Sequence, residues 1–380
     1  MHGCRVSLAL LTLVGCAGTS AQIDAGHDAS AAEDAGVDAV SFDAAPSVDA
    51  AVIDAAPPAD AGPPDGAAIA FVTLERPDGG AIGSDDIAYG HRIGRVLLPT
   101  GQSLQLYDPI AHALVVVHGF GGSRVDDAGV PHGVAGTTSA DDGEAAVYAI
   151  DRRSQSLALV DPTLGSIIAW APLDAQPDLV RYAASTHEVW VTEPSAIQLE
   201  VFSTAAGLAP THAAFVSTPG GCEALAIDEA HGRAYTNSGA NTIGVDLATH
   251  ALVSTWPNGC ARAHGLVVDP RGLVVVDCNE GHLQVLDATH AGAQLSMLPI
   301  PIGTDLIDFD PTLGHLYVAA MDGTLSVVSL DATGTLGLLG TLGEGVAARA
   351  AAVDDTGNVY IIDSVRGRLA VVTDPYPLTP

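Results

Sequence analysis

From about residue 86 to the C-terminus, apolar and polar positions alternate in short runs, and the runs recur. The β-branched and aromatic stretches "HGRAYTNS" (231–238), "GHLYVAAM" (314–321) and "GNVYIIDS" (357–364) each precede a run that closes on an apolar residue followed by Asp. Those closing steps are Tyr107-Asp108, Val160-Asp161, Val245-Asp246, Leu286-Asp287, Leu330-Asp331 and Thr373-Asp374, with Ser203 in the remaining slot. They are spaced by 53, 42, 43, 41, 44 and 43 residues. Another run ending near Asp comes first in each unit, as in "EALAIDEA", "HGLVVDPR", "DLIDFDPT" and "RAAAVDDT", and a fourth apolar run follows the step. Four short strands in every unit of that length predict an all-β ring of four-stranded blades, not βαβ units. Seven slots predict a seven-bladed β-propeller.

One stretch points elsewhere. "ALVVVHGFGG" (113–122) resembles the strand and oxyanion loop of an α/β-hydrolase, with His118 beside the glycines. Its register decides against this. "YDPIAHALVVVHG" (107–119) aligns with "VDLATHALVSTWP" (245–257), so residues 113–118 are a fourth strand of blade 1. A hydrolase of that kind also needs a Gly-x-Ser-x-Gly nucleophile elbow, and the chain has none.

The ring has to close. Only six residues follow Asp374, so blade 7 lacks its fourth strand at the C-terminal end. "AAIAFVTLE" (67–75) is an orphan strand of the right length, and pairing it into blade 7 removes an exposed edge. Residues 121–136, which lengthen the first interval, are expected to be a loop inserted between blades 1 and 2.

Ahead of the repeats lie two other materials. Arg5, an apolar run from Val6 to Val14 and the tetrapeptide Leu13-Val14-Gly15-Cys16 resemble a bacterial lipoprotein signal peptide. This predicts removal of residues 1–15, acylation of Cys16 with palmitate-type chains, and a cell-envelope location, anchored to the outer membrane through lipid alone. Residues 16–66 are rich in Asp, Ala and Pro, with ten acidic groups and no basic one. Such a segment cannot bury a core and reads as a disordered tether spanning roughly 40 Å. The propeller is expected over 67–380. The formal charge is −31, all fourteen basic residues are Arg, and there is no Lys. This excludes Schiff-base and P-loop lysine chemistry and argues against nucleic acid.

"YTNSGANTIGVD" and "LYVAAMDGTLSVVSLD" resemble the YVTN-repeat β-propellers of bacterial envelopes, most clearly in blades 4 to 7. The resemblance implies a fold and a binding or scaffolding tendency, with no defined reaction. A monomeric binding module for a protein or small molecule is the first expectation. A metal-dependent lactonase- or esterase-like propeller enzyme is the alternative.

Aligning the repeats places Asp178, Glu223, His264, Asp305 and Arg349 at the starts of inner strands, with Gly136 in blade 2 and Asp85 or Asp86 in blade 1. These starts ring the mouth of the central channel. The ring is either a solvated polar funnel or a site for a divalent cation such as Ca²⁺, which oxygen ligands suit. Arg349 favours an anionic ligand or an internal ion pair instead. Of the cysteines in the repeats, Cys260 and Cys278 are expected to form a disulfide and Cys222 to remain free, the alternative being three buried thiols. His112, His250 and His290 recur in the turns before fourth strands, which reads as repeat architecture.

Overall fold

The computed structural model describes residues 69–76, 82–121, 124–125, 131–132, 136–204, 209–343 and 348–378. The leader, Cys16 and the tether lie outside the described residues. All those described belong to one unit, Pro57–Pro380.

Seven four-stranded antiparallel sheets form the ring, and an eighth, two-stranded ribbon (Arg124–Val125 with Pro131–His132) sits in the insertion between blades 1 and 2. The strand Ala113–His118 is the outer strand of blade 1, so the hydrolase-like stretch is part of the repeat. Blades 1 to 6 run from inner to outer strand in sequence order. Blade 7 takes Ala352–Val353, Asn358–Asp363 and Arg368–Thr373 from the C-terminal end, and its fourth strand is Ile69–Thr73. In that pairing Ile69 faces Val372 and Thr73 faces Arg368.

The recurrent Asp has a local cause. At the end of the third strand in blades 1, 2, 4, 5 and 6 its carboxylate caps the turn to the fourth. The amides of Ile110 and Ala111 donate to Asp108 Oδ1 at 2.9 and 2.8 Å, and those of Thr163 and Leu164 to Asp161 Oδ1 at 2.8 and 2.9 Å. Asp246, Asp287 and Asp331 do the same for Thr249, Thr289 and Thr333. A second set ends the inner strands: Asp269, Asp310 and Asp354 cap Arg271, Thr312 and Thr356. Asp offers the turn an acceptor that most side chains lack. Both sets lie on the face opposite the channel mouth, so much of the acidic charge is structural.

His112 and His250 have φ of 51° and 57° in these same turns, in the left-handed region. His112 Nδ1 lies 3.0 Å from the Tyr107 hydroxyl, His250 Nε2 lies 3.0 Å from Glu188 Oε1, and His290 Nδ1 lies 2.7 Å from Asp287 Oδ2. His112 and His290 are thus engaged within their own hairpins, and His250 reaches across to blade 3.

The core is divided seven ways, one apolar cluster between each adjacent pair of blades. Sheets covered on both faces need middle strands that are mainly apolar, with any polar residue near a strand end. Leu273–Cys278 ("LVVVDC") and Glu188–Glu193 ("EVWVTE") are accordingly buried along their whole length. Each Val or Leu buried there contributes about 1.5–3 kcal/mol. A bulge recurs between third and fourth strands, at Leu159/Val160, Val201/Phe202, Gly244/Val245, Val285/Leu286 and Val327/Val328. It adds local twist at one place in each of blades 2 to 6. The last Asp of the series serves closure: Tyr317 donates its hydroxyl proton to Asp374 Oδ2 at 2.6 Å, and His315 Nδ1 lies 2.7 Å from the same oxygen. Blade 6 is thereby locked to the end of blade 7.

Candidate functional site

Inner strands all start on one face, and the side chains at their starts converge on a cup of about 190 Å³ at the channel mouth. Its lining is Asp85, Asp178, Leu179, Glu223, His264, Asp305, Leu306 and Arg349. Every inner-strand position singled out in the sequence is present, except that Gly136 of blade 2 contributes no side chain.

That gap is filled by a residue the repeat alignment did not mark. Arg152 leaves the hairpin after the second strand of blade 2, and its amide donates to Gly136 O at 2.9 Å. Its Nη2 pairs with Asp85 Oδ2 at 2.7 Å and with Asp178 Oδ1, and its Nε donates to Pro177 O at 3.1 Å. On the other side of the cup, His264 Nδ1 lies 2.9 Å from Asp305 Oδ1, and Arg349 Nη1 lies 3.9 Å from Asp305 Oδ2. The hydrogen bond to Asp305 raises the His264 imidazole above its ordinary value, with Glu223 and Asp277 adding to it, against burial that pulls it down. Three of the four acids are therefore matched internally. Exposed Glu223 has no side-chain partner among the described residues.

This distribution bears on what the cup can hold. A divalent ion bound by Asp85 and Asp178 would have to displace the Arg152 guanidinium. Metal coordination needs the neutral imidazole, and the hydrogen bond from His264 to Asp305 works against that form. The cup is better suited to an organic group, with a cation against Glu223 and polar contacts to the paired acids and arginines.

A buried carboxyl supports this rim from behind. Asp277, on the second strand of blade 5, accepts the Thr304 hydroxyl at 2.6 Å through Oδ1, while its buried Oδ2 has no partner among the described residues. Burial pushes Asp277 up to about 7, opposed by the Thr304 bond. In blade 4 the matching position is Asn237, whose Nδ2 donates to His264 O of the next blade at 2.7 Å. The Asn of "YTN" is thus a brace between blades.

Below the cup, Arg181 of blade 3 is paired with Asp86 of blade 1, so Asp85 and Asp86 divide between mouth and channel. The far end of the channel opens into a funnel of about 380 Å³, which shares Leu306 with the cup. Its deep carboxylates follow one rule. Asp141 accepts the Tyr182 amide at 2.7 Å, and Asp308 accepts the Val353 amide at 2.9 Å, each from the next blade round the ring. Burial pushes both up to about 6.

Cys260 and Cys278 are joined as a disulfide with Cα atoms 5.2 Å apart. Cys222 is free and buried; burial pushes its thiol up to about 11, which removes it as a nucleophile at neutral pH. His118 stands at the rim with its Nε2 3.5 Å from Glu75 Oε1, far from any oxyanion-hole arrangement. Among the described residues no helix is long and apolar enough to cross a membrane.

No family model matches the sequence, and no curated protein matches it. Solved structures do. A chain of the "Crystal Structure of Mitotic Checkpoint Complex" superposes with a TM-score of 0.66 at 10% identity, over 89% of this chain and 98% of that one. A chain of the Kuenenia stuttgartiensis hydrazine synthase superposes with a TM-score of 0.61 at 12% identity, over 78% of this chain and 96% of that one. At such identities the likeness is one of fold, and what it shows is a seven-bladed β-propeller.

Proposed function

We propose that this chain is a lipid-anchored, extracytoplasmic binding module of the cell envelope, of the YVTN-repeat kind, that holds a protein partner at its channel mouth. The observation that carries the reading is the cup itself, in which Arg152, Arg349 and His264 match three acids and leave Glu223 unpaired among the described residues. A partner loop presenting a basic side chain fits that charge. The fold suits the role, since seven four-stranded blades present their connecting loops on one face.

The topology also orients the module. Fourth strands end on the mouth face, so the closing strand starts on the opposite face, at Ile69. A chain tethered through Cys16 would then present the cup away from the membrane.

The test places a photo-crosslinking amino acid at Ile302, an exposed position on the mouth face, or at Leu164, an exposed turn on the other face. In intact cells Ile302 should give a discrete adduct that Glu223→Ala diminishes, and wild type should incorporate a palmitate analogue that Cys16→Ser does not. Adducts from Leu164 alone would overturn the site. Absence of acyl label in wild type would overturn the anchor.

A further inference from the structure

We propose that Cys260, Cys278, Glu280 and His282 form a redox-controlled site for a thiophilic divalent cation, Zn²⁺ by its donor set, which loads when the Cys260–Cys278 disulfide is reduced. The site is separate from the cup and does not depend on its reading.

One donor atom from each of the four side chains lies within 4.8 Å of all the others. Two thiolates, an imidazole and a carboxylate make a four-donor set typical of zinc, and legs of about 2.0–2.3 Å place tetrahedral donors roughly 3.3–3.8 Å apart. Small shifts bring the four from their present positions to that geometry, with the two sulfurs moving apart once their bond is broken.

The hairpin explains why these residues meet. Cys278 and His282 are directly paired across adjacent strands, so their side chains share one face. Glu280 occupies the turn between them, which Gly281 allows with φ of 112°. The Gly281 amide closes that turn on Cys278 O at 2.8 Å. Cys260 arrives from the loop before the inner strand of the same blade.

That loop is held to the hairpin by bonds other than the disulfide. The amides of Ala261 and Arg262 donate to the Glu280 carboxylate at 2.6 and 3.0 Å, and the Asn279 amide donates to Arg262 O at 3.0 Å. Breaking the sulfur–sulfur bond therefore leaves the two limbs in place. With the Ala261, Arg262 and Glu280 amides bearing on it, the Glu280 carboxylate keeps a lone pair for an ion. Both cysteines are buried, whereas Glu280 and His282 are half-buried, so an ion enters past the imidazole and carboxylate.

The chemistry balances with a dithiol as reductant. Its two sulfurs join as a disulfide, and two electrons and two protons pass to the Cys260 and Cys278 sulfurs. Zn²⁺ then displaces both thiol protons to solvent and forms two sulfur–zinc bonds. A disulfide oxidant reverses this: it takes two electrons from the thiolates and two protons from solvent to become two thiols, the Cys260–Cys278 bond re-forms and the ion is released, so disulfide and metal exclude each other.

The test uses the full chain, reduced with a dithiol and freed of it without air, with Co²⁺ as a spectroscopic probe. Reduced wild type should take up Co²⁺ with sulfur-to-cobalt charge-transfer absorption and a tetrahedral d–d band, both bleached by equimolar Zn²⁺. The oxidised protein should show neither. Cys222→Ser should keep the signal and Cys260→Ser should lose it, which separates the site from Cys4, Cys16 and the acidic surface. His282→Ala leaves the disulfide fold intact and should weaken zinc binding by at least about tenfold. Lack of the charge-transfer absorption in reduced wild type, or its persistence in Cys260→Ser, would overturn the proposal. So would unchanged affinity in both His282→Ala and Glu280→Gln, which would reduce the site to a bare dithiol.

Discussion

Arg181 of blade 3 reaches past blade 2 to grip Asp86 of blade 1, its Nη1 2.8 Å from Oδ2 and its Nη2 3.3 Å from Oδ1. The Ser139 hydroxyl of the blade between donates to the same Oδ2 at 2.6 Å, so three inner strands meet on one carboxylate. Burial works against the Arg181 charge, but Asp86, Asp141 and Asp308 outweigh it and raise its pKa. The pair lines the funnel.

Breaking this pair should cost more than removing it. Asp86 is 1% exposed, and Arg181→Met would leave it without its countercharge, a loss of about 3–5 kcal/mol for a buried partner. Arg181→Met combined with Asp86→Asn keeps an acceptor for Ser139 and should recover most of that loss. Urea midpoints at unchanged slope measure both. Equal midpoints for the single and double variants would show that the charge at Asp86 does not need Arg181.

Stability should peak on the acid side of neutrality. Asp141 and Asp308 are raised to about 6, Asp277 to about 7 and Glu200 to about 8, each chiefly by burial. A raised carboxyl binds its proton more readily folded than unfolded, where the value is about 4. Its contribution is present in full below that value and is lost as pH rises through the folded pKa. His264, also raised, acts in the same direction above its unfolded value near 6.5. The turn-capping Asp108, Asp246 and Asp331 are lowered by their hydrogen bonds, and Asp354 and Asp363 are lowered despite burial, so these groups lose their contribution below about pH 4. Melting temperature should therefore fall between about pH 5 and pH 8, and Asp277→Asn should flatten the upper part of that fall. A melting temperature that rises steadily to pH 8 would contradict the assignment.

What the sequence made legible follows from where each signal resides. The Asp at the end of a third strand caps its own turn, so its interval marks the blades whatever surrounds them. The start of an inner strand is a fixed place in that repeat, so Asp178, Glu223, His264, Asp305 and Arg349 could be brought to one rim before any coordinates. Arg152 could not, because it comes from a hairpin and reaches the rim only where Gly136 leaves space. The Arg181–Asp86 pair depends on the curvature that brings blade 3 to blade 1 past blade 2, and Glu280 and His282 join the cysteines through strand register. The lengthened first interval holds the ribbon of Arg124–Val125 and Pro131–His132, which no repeat period specifies.

The closing strand supplies the last prediction. Ile69–Thr73 completes blade 7 against Arg368–Val372, whose Leu369 and Val372 are fully buried. Ile69 packs on the cluster shared with blade 6, while Val72 and buried Leu74 pack on the cluster shared with blade 1. The Leu74 amide extends the pairing to Gly367 O at 3.0 Å, and the Arg368 guanidinium lies 3.6 Å from the Phe71 ring centre. Deleting residues 67–75 removes this apolar contact and exposes a strand edge between two clusters that hold the ring shut. The lost burial and backbone bonds are on the order of 5 kcal/mol. Because the clusters join every blade to the next, the loss should lower the urea midpoint of the whole domain, and the exposed edge should favour association between chains. Deleting residues 20–60, outside the described residues, should leave the midpoint unchanged. A peptide of sequence 67–75 added to the truncated chain should restore stability in proportion to its concentration. If the truncated chain unfolds at the wild-type midpoint and ignores the peptide, the ring is held without the contacts this strand makes to those two clusters, and the N-terminal strand is dispensable.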